Sequence, residues 1–202
     1  MAQRDCLPGY RIADAGCRRT GHSGPVETTP ERRRYVVVSG PAASGKTTLA
    51  RRLADELGVP LLAKDTIKSA LFAVLDVPDI DAARRIGRAA VTILLALADE
   101  VRGDVVLESV WPRAQSVGDL RRLPGSLVEV FCRCDLAIAE ARYAARIGTR
   151  PSGYVPEHRH SAELWTKETT EPVAGGWPVI EVDTTSPVDV AALLTAIRAA
   201  LS

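Results

Sequence analysis

Tyr35-Val36-Val37-Val38-Ser39-Gly40-Pro41-Ala42-Ala43-Ser44-Gly45-Lys46-Thr47-Thr48-Leu49 decides the reading of the chain: Gly40 to Thr47 fit the phosphate-binding pattern GxxxxGK[ST] without a mismatch. The spacing has a chemical reason. Glycines let successive backbone N–H groups curl around phosphate oxygens, Lys46 reaches the outer phosphates, and the Thr47 hydroxyl can ligate Mg²⁺. A helix N-terminus beneath the loop adds a favourable dipole for anions. The flanks are those the motif needs, with the apolar β-branched run Val36 to Val38 before it and Leu49, Leu53 and Leu57 at helical spacing after it. The stretch reads as a nucleotide triphosphate site, with Gly40, Ala42, Ala43, Ser44, Gly45, Lys46, Thr47 and Thr48 as its binding residues and Thr47 as the ligand of a Mg²⁺ cofactor.

Composition bounds the rest. The 202 residues suit one well-buried domain, and 46% hydrophobic with 25% charged residues is ordinary globular material. A formal net charge of +1 gives no sign of a polyanion-binding surface, so nucleic acid is not an expected partner. The richest apolar stretch, Ala89 to Ala98, is far shorter than the roughly 20 residues a membrane span needs, and reads as a core helix. No apolar leader follows the amino terminus, so a cytoplasmic protein is expected. Cys6, Cys17, Cys132 and Cys134 have neither metal-site nor thioredoxin-like spacing and read as reduced thiols, the last two as packing residues.

Along the chain, Met1 to Arg34 mixes Gly, Pro, Ser, Thr and Arg without periodicity and reads as a flexible extension, leaving 35–202 as the folded domain. After the first strand and a helix to Leu57, Gly58-Val59-Pro60 ends the helix and Leu61 to Ala63 forms a short buried strand. A helix from Lys64 to about Leu75, a break at Asp76 to Asp81, and a long Ala-rich helix from Ala82 to Val101 follow. Val105 to Leu107 is a buried strand closed by Glu108, Gly118 to Leu123 a short helix, and Leu127 to Cys132 another strand. Asp135 suits the N-cap of a helix over Leu136 to Ile147, Gly148 to Pro156 is a loop, and Ser161 to Thr170 is helical. Pro178 to Val182 is the last strand and Pro187 to Leu201 the last helix. Strands alternating with helices predict an α/β fold, a three-layer αβα sandwich around a mostly parallel five-stranded sheet with a helical or loop lid.

In open parallel sheets ligands sit beyond the carboxyl ends of the strands, and two carboxylates are expected there: Asp65 after the second strand and Glu108 at the end of the third. If those strands flank the first, both point toward the γ-phosphate end of a nucleotide. Phosphoryl transfer needs a carboxylate to orient or deprotonate the attacking hydroxyl, plus Mg²⁺ and cations for the transferring charge. Asp65 is also a plain N-cap candidate. Glu108 suits a Mg²⁺-water ligand, a substrate ligand, or the first solvated residue after a buried strand. Arg142 and Arg146, one helical turn apart, can clamp phosphates across a closing lid, with Arg150 as a third candidate. His158 and His160 read as solvated loop residues, and Trp111 and Trp165 suit either an acceptor pocket or the core.

The whole resembles the small P-loop kinases related to chloramphenicol phosphotransferase, zeta toxin and the shikimate, gluconate and adenylate kinases, from Tyr35 to the end. The matching residues are Gly40 to Thr48, Asp65-Thr66-Ile67-Lys68 for an Asp-x-x-Arg/Lys segment, and Arg142 with Arg146 for the lid. The resemblance implies that Asp65 is the catalytic base or acceptor-orienting group and that the arginines touch ATP phosphates. Catalytic candidates are therefore Lys46, Asp65, Arg142 and Arg146, and acceptor-binding candidates Asp65, Lys68, Glu108 and Trp111. Many relatives carry Asp where this chain has Glu108. The expected activity is ATP-dependent phosphorylation of a hydroxyl on a small molecule such as a sugar, nucleoside or antibiotic. The alternatives are a nucleotide or polynucleotide 5′-kinase and a non-enzymatic nucleotide-dependent switch.

Overall fold

The computed structural model describes residues 33–146 and 164–202. Its first strand, β1 (Arg34–Ser39), is the centre of a five-stranded sheet in which every pairing is parallel. The others are β2 (Leu61–Ala63), β3 (Val105–Glu108), β4 (Ser126–Arg133) and β5 (Val179–Asp183), in the order β2-β3-β1-β4-β5. Both faces of the central strands are covered. Val36 and Val38 of β1 pack with Leu49 and Leu53 of α1 (Lys46–Leu57) and with Leu193 and Ile197 near the carboxyl terminus. Tyr35 and Val37 face the other way, onto Leu94 and Ala98. That alternation in one continuous apolar run is what a parallel strand between two helical layers requires, and it bears out the three-layer expectation.

Three more helices lie between β2 and β4: α2 (Lys64–Phe72), α3 (Ile80–Glu100) and α4 (Arg113–Leu120). The remaining ones among the described residues are α5 (Leu136–Ala144), the single turn α6 (Lys167–Thr170) and α7 (Val190–Ala200). Asp135 caps α5 as expected, its carboxylate accepting from the N–H groups of Ala137 and Ile138. Elsewhere the caps moved boundaries. Asp79 accepts from the Ala82 N–H and starts α3 two residues before Ala82, and Asp189, not Pro187, begins α7 by accepting from the Ala192 N–H. The expected Gly118 to Leu123 helix is instead Arg113–Leu120, because Pro112 marks its start and a turn at Arg121 to Gly125 feeds β4. β2 is only half-buried, since it is an edge strand with one neighbour.

Arg33 and Arg34, assigned by sequence to the extension, belong to the fold: the Arg33 carbonyl accepts from the Ser126 N–H, and the Arg34 guanidinium meets Asp104 at 2.5 Å. The rest of the expected extension lies outside the described residues. So do Cys6, Cys17, the loop Gly148 to Pro156 with Arg150, His158, His160, and the start of the Ser161 to Thr170 helix. Among the described residues no helix is long and apolar enough to cross a membrane.

Candidate active site

The carboxyl ends of β1, β3 and β2 lie side by side, with Glu108 in register with Val38 on one side and Ala63 on the other. Only β3 flanks β1. Glu108 therefore stands next to the phosphate loop, and Asp65 stands one strand farther out instead of on an equal footing with it.

The loop between β1 and α1 is tightly built. Gly40 has φ +136°, and a Cβ there would lie 2.6 Å from the Cys132 carbonyl oxygen, so only glycine fits. Gly45 has φ +84° and caps α1 with no side-chain bond, leaving the first-turn N–H groups of the helix for an anion. Lys46 is buried, and its Nζ donates to the Pro41 carbonyl at 3.0 Å. Desolvation holds its pKa below the ordinary lysine value, opposed by the charges of Glu108 and Asp65.

Glu108 is 2% exposed, which rules out the solvated reading. Desolvation pushes its pKa up; Lys46 opposes this, Asp65 adds to it, and a hydrogen bond with the Thr47 side chain pulls the other way. Its Oε2 is buried with no hydrogen-bond partner. An acid held this deep at a strand end, with one oxygen unsatisfied, is spent on something other than folding stability. Asp65 differs. It is exposed, sits in the first turn of α2, and has Lys64 Nζ at 3.5 Å; the N-cap is Ala63, so the capping reading of Asp65 does not hold.

Thr47 and Glu108 suit a Mg²⁺ ion: a hydroxyl beside a carboxylate with an unsatisfied oxygen is a hard-oxygen donor set next to the place where phosphates would lie. Among the described residues no group of three or more His, Cys, Asp or Glu could hold a metal ion.

Beside the loop runs a groove of about 250 Å³ whose walls include Gly45, Thr48, Arg142, Arg146, Thr184 and Pro187. Arg142 is fixed there, donating from both terminal nitrogens to the Thr184 carbonyl at 3.2 Å and from Nη1 to Cys134 Sγ at 3.4 Å. Arg146 lines a small cleft together with Ala43, Lys46 and Thr47. Both arginines thus line clefts beside the loop. Two acceptor candidates are buried. Trp111 is 1% exposed and packed in the core with Leu94 and Leu107, and Lys68 is buried with its ammonium 4.8 Å from the centre of the Phe72 ring.

Three residues gained roles that the sequence reading missed. Trp165 Nε1 donates to the Ala42 carbonyl at 3.2 Å, and the Thr184 hydroxyl reaches the Ser44 carbonyl at 2.5 Å. Glu129, at 0% exposure, accepts from Ser39 Oγ, the Val173 and Ala174 N–H groups and Trp177 Nε1. A charged residue inside Leu127-Val128-Glu129-Val130 was the available signal.

A family model described as an AAA domain, AAA_33, matches residues 36–168, which include the loop, Asp65, Glu108 and both arginines. The chain belongs to the AAA_33 family. This AAA_33 domain is 34% identical over 133 residues to a Holliday junction branch migration complex subunit RuvB of Chlorobium phaeobacteroides, covering 61% of this chain and 38% of that protein. It is 33% identical over 108 residues to a cytidylate kinase of Nitratidesulfovibrio vulgaris, covering 45% of each. The chain thus spans less than half the length of these curated relatives. A solved structure of a candidate kinase from Chloroflexus aurantiacus j-10-fl superposes with a TM-score of 0.77 at 26% identity, covering 85% of this chain and all of that one. The AAA_33 domain therefore has the P-loop kinase fold.

Proposed function

We propose that the chain is an ATP-dependent kinase that moves the γ-phosphoryl group to a hydroxyl of a small-molecule acceptor. The observation that carries this reading is Glu108: a buried carboxylate with an unsatisfied oxygen, beside Lys46 and Thr47, one strand from the exposed Asp65. A lone phosphate-binding loop would need neither carboxylate.

In this reading the nucleoside lies in the groove between Thr48, Arg142 and Pro187, and the loop amides hold the β- and γ-phosphates. Lys46 exchanges the Pro41 carbonyl for phosphate oxygens. Thr47, with Glu108 beside it, would hold Mg²⁺, which would supply positive charge to offset that of the phosphates. The acceptor oxygen bonds to the γ-phosphorus as the bond to the β,γ-bridging oxygen breaks, ADP leaves, and the acceptor proton passes to the Asp65 carboxylate. Exposure of Asp65 is what this role needs, because an acceptor must reach it. Arg142 and Arg146 offset the negative charge of the transferring group from the groove side.

The acceptor is a small molecule and neither nucleic acid nor membrane is a partner, in line with the net charge of +1; the protein acts in the cytoplasm. The match to a cytidylate kinase favours a second reading, in which the acceptor is a nucleotide, and the match to RuvB favours a nucleotide-driven switch. ADP release measured against a panel of sugars, nucleosides, nucleoside monophosphates and aminoglycoside-like alcohols separates the three. Acceptor-dependent turnover by a non-nucleotide supports the proposal, turnover by a nucleoside monophosphate supports the second reading, and nucleotide binding without acceptor-dependent turnover sinks both kinase readings.

A further inference from the structure

Three carbonyl groups of the phosphate loop are held by side chains. Pro41 O accepts from Lys46 Nζ, Ala42 O from Trp165 Nε1 at 3.2 Å, and Ser44 O from the Thr184 hydroxyl at 2.5 Å, whose single proton is shared with the Arg133 carbonyl at 2.6 Å. Lys46 is the motif's own residue, but Trp165 and Thr184 come from distant parts of the chain. Peptide planarity gives their contacts a meaning. The described peptide bonds are trans, and in a trans peptide the C=O and the N–H of the next residue point in opposite directions. A donor that fixes the Ala42 carbonyl therefore fixes the Ala43 N–H on the other side, and one that fixes the Ser44 carbonyl does the same for the Gly45 N–H. Those are two of the amides on which a phosphate nest depends.

The backbone needs such support. Ala43 has φ +58° with no glycine freedom, and such a conformation persists only where its surroundings over-determine it. Both donors are themselves held firmly. The Trp165 ring meets Tyr143 of α5 edge-on, with centroids 5.7 Å apart at 79°, and the following turn is tied to α4 by the Ala114 N–H donating to Glu168 Oε2 at 2.7 Å. The Thr184 N–H donates to the Arg133 carbonyl at 2.8 Å, which anchors that residue to β4. Accepting a hydrogen bond at its carbonyl also polarises a peptide and makes its N–H a better donor.

We propose that Trp165 and Thr184 are positioning residues that turn the Ala43 and Gly45 N–H groups toward the bound phosphates. The proposal rests on the reading of Gly40 to Thr48 as a phosphate loop. Neither side chain touches phosphate in it; each acts through one peptide plane.

The test uses the full chain and two conservative variants. Thr184→Val keeps the shape and loses the hydroxyl, while Trp165→Phe keeps an aromatic face for Tyr143 and loses the N–H. Calorimetric titration with inorganic tripolyphosphate and with Mg·ATP reads the phosphate contacts directly. Each variant is expected to weaken both ligands about five- to tenfold, the scale of one hydrogen bond, and the double variant by the product, because the two donors act on different peptides. The KM for ATP should rise by the same factor with kcat nearly unchanged, which a general loss of stability would not produce. Should Trp165→Phe fail to fold, the benzothienyl-alanine isostere at position 165, with sulfur in place of the N–H, carries that arm. Wild-type affinity for tripolyphosphate in both variants overturns the proposal. Absence of binding by the wild-type protein overturns the phosphate-loop reading beneath it, so the two failures are distinguishable.

Discussion

Glu129→Gln changes one atom type in the middle of β4, and its cost can be worked from the geometry. Oε1 accepts from Ser39 Oγ at 2.6 Å and the Val173 N–H at 2.9 Å, and Oε2 from the Ala174 N–H at 2.9 Å and Trp177 Nε1 at 3.1 Å. Four donors on two oxygens can all be satisfied only by a carboxylate. A glutamine offers one oxygen and one NH₂, so one pair of donors must face hydrogens. If the NH₂ takes the Oε1 position, the Ser39 hydroxyl can rotate to accept, but the Val173 N–H is left buried without a partner. That orphan costs about 1–3 kcal/mol, and the other contacts lose their charge assistance, so the expected total is about 2–4 kcal/mol. For a domain of this size the melting temperature should fall by roughly 4–16 °C. Thermal unfolding followed by circular dichroism, with urea unfolding as a check, measures it. A loss below about 0.5 kcal/mol would refute the reasoning, because it would mean that the four contacts are replaced without loss.

Three further outcomes are expected. Lys46→Ala should weaken Mg·ATP by roughly 10- to 150-fold through loss of a charge-assisted contact, as read by calorimetry. It also removes the cation that opposes the raised pKa of Glu108; since a raised carboxyl contributes stability below about its ordinary value of 4.5 that is lost as pH rises, the deficit of the variant in thermal melts should grow from pH 4.5 toward neutrality. Asp65→Asn should leave stability within about 0.5 kcal/mol, because the residue is exposed and does not cap α2, while acceptor-dependent turnover falls about 10²- to 10⁴-fold with ATP affinity unchanged; full turnover would pass the role to Glu108. Burial pushes the Cys132 thiol up to about 12 from an ordinary 9.0, so the stability it contributes is complete below pH 9 and lost as pH rises toward 12, by up to about 1.4 kcal/mol per unit. Cys132→Ala should flatten that alkaline decline, and an unchanged decline would show that the thiol is not its source.

Much of the molecule was legible because its signals are local. The run Val36 to Val38, the loop Gly40 to Thr47 and the leucines behind it carry their own reasons: an apolar strand with both faces buried, glycines where φ is positive or a Cβ would collide, and an amphipathic helix after them. The acid after the second strand and the one closing the third were also visible as charges at the ends of apolar runs. Sequence could not rank those acids, because strand order decides it: β3 beside β1 and β2 beyond it bury Glu108 against Lys46 and leave Asp65 exposed. The same holds for the side chains that shape the loop. Trp165 and Thr184 lie 123 and 140 residues from the carbonyls they bond, and Glu129 is 90 residues from Ser39. Nothing in a local pattern encodes such partners, since a hydrogen bond between distant segments exists only once the sheet has brought their ends together. Trp111 and Lys68 show the converse: each has the chemistry of a binding residue, and only the tertiary structure shows that Trp111 is buried in the core with Leu94 and Lys68 beside the Phe72 ring.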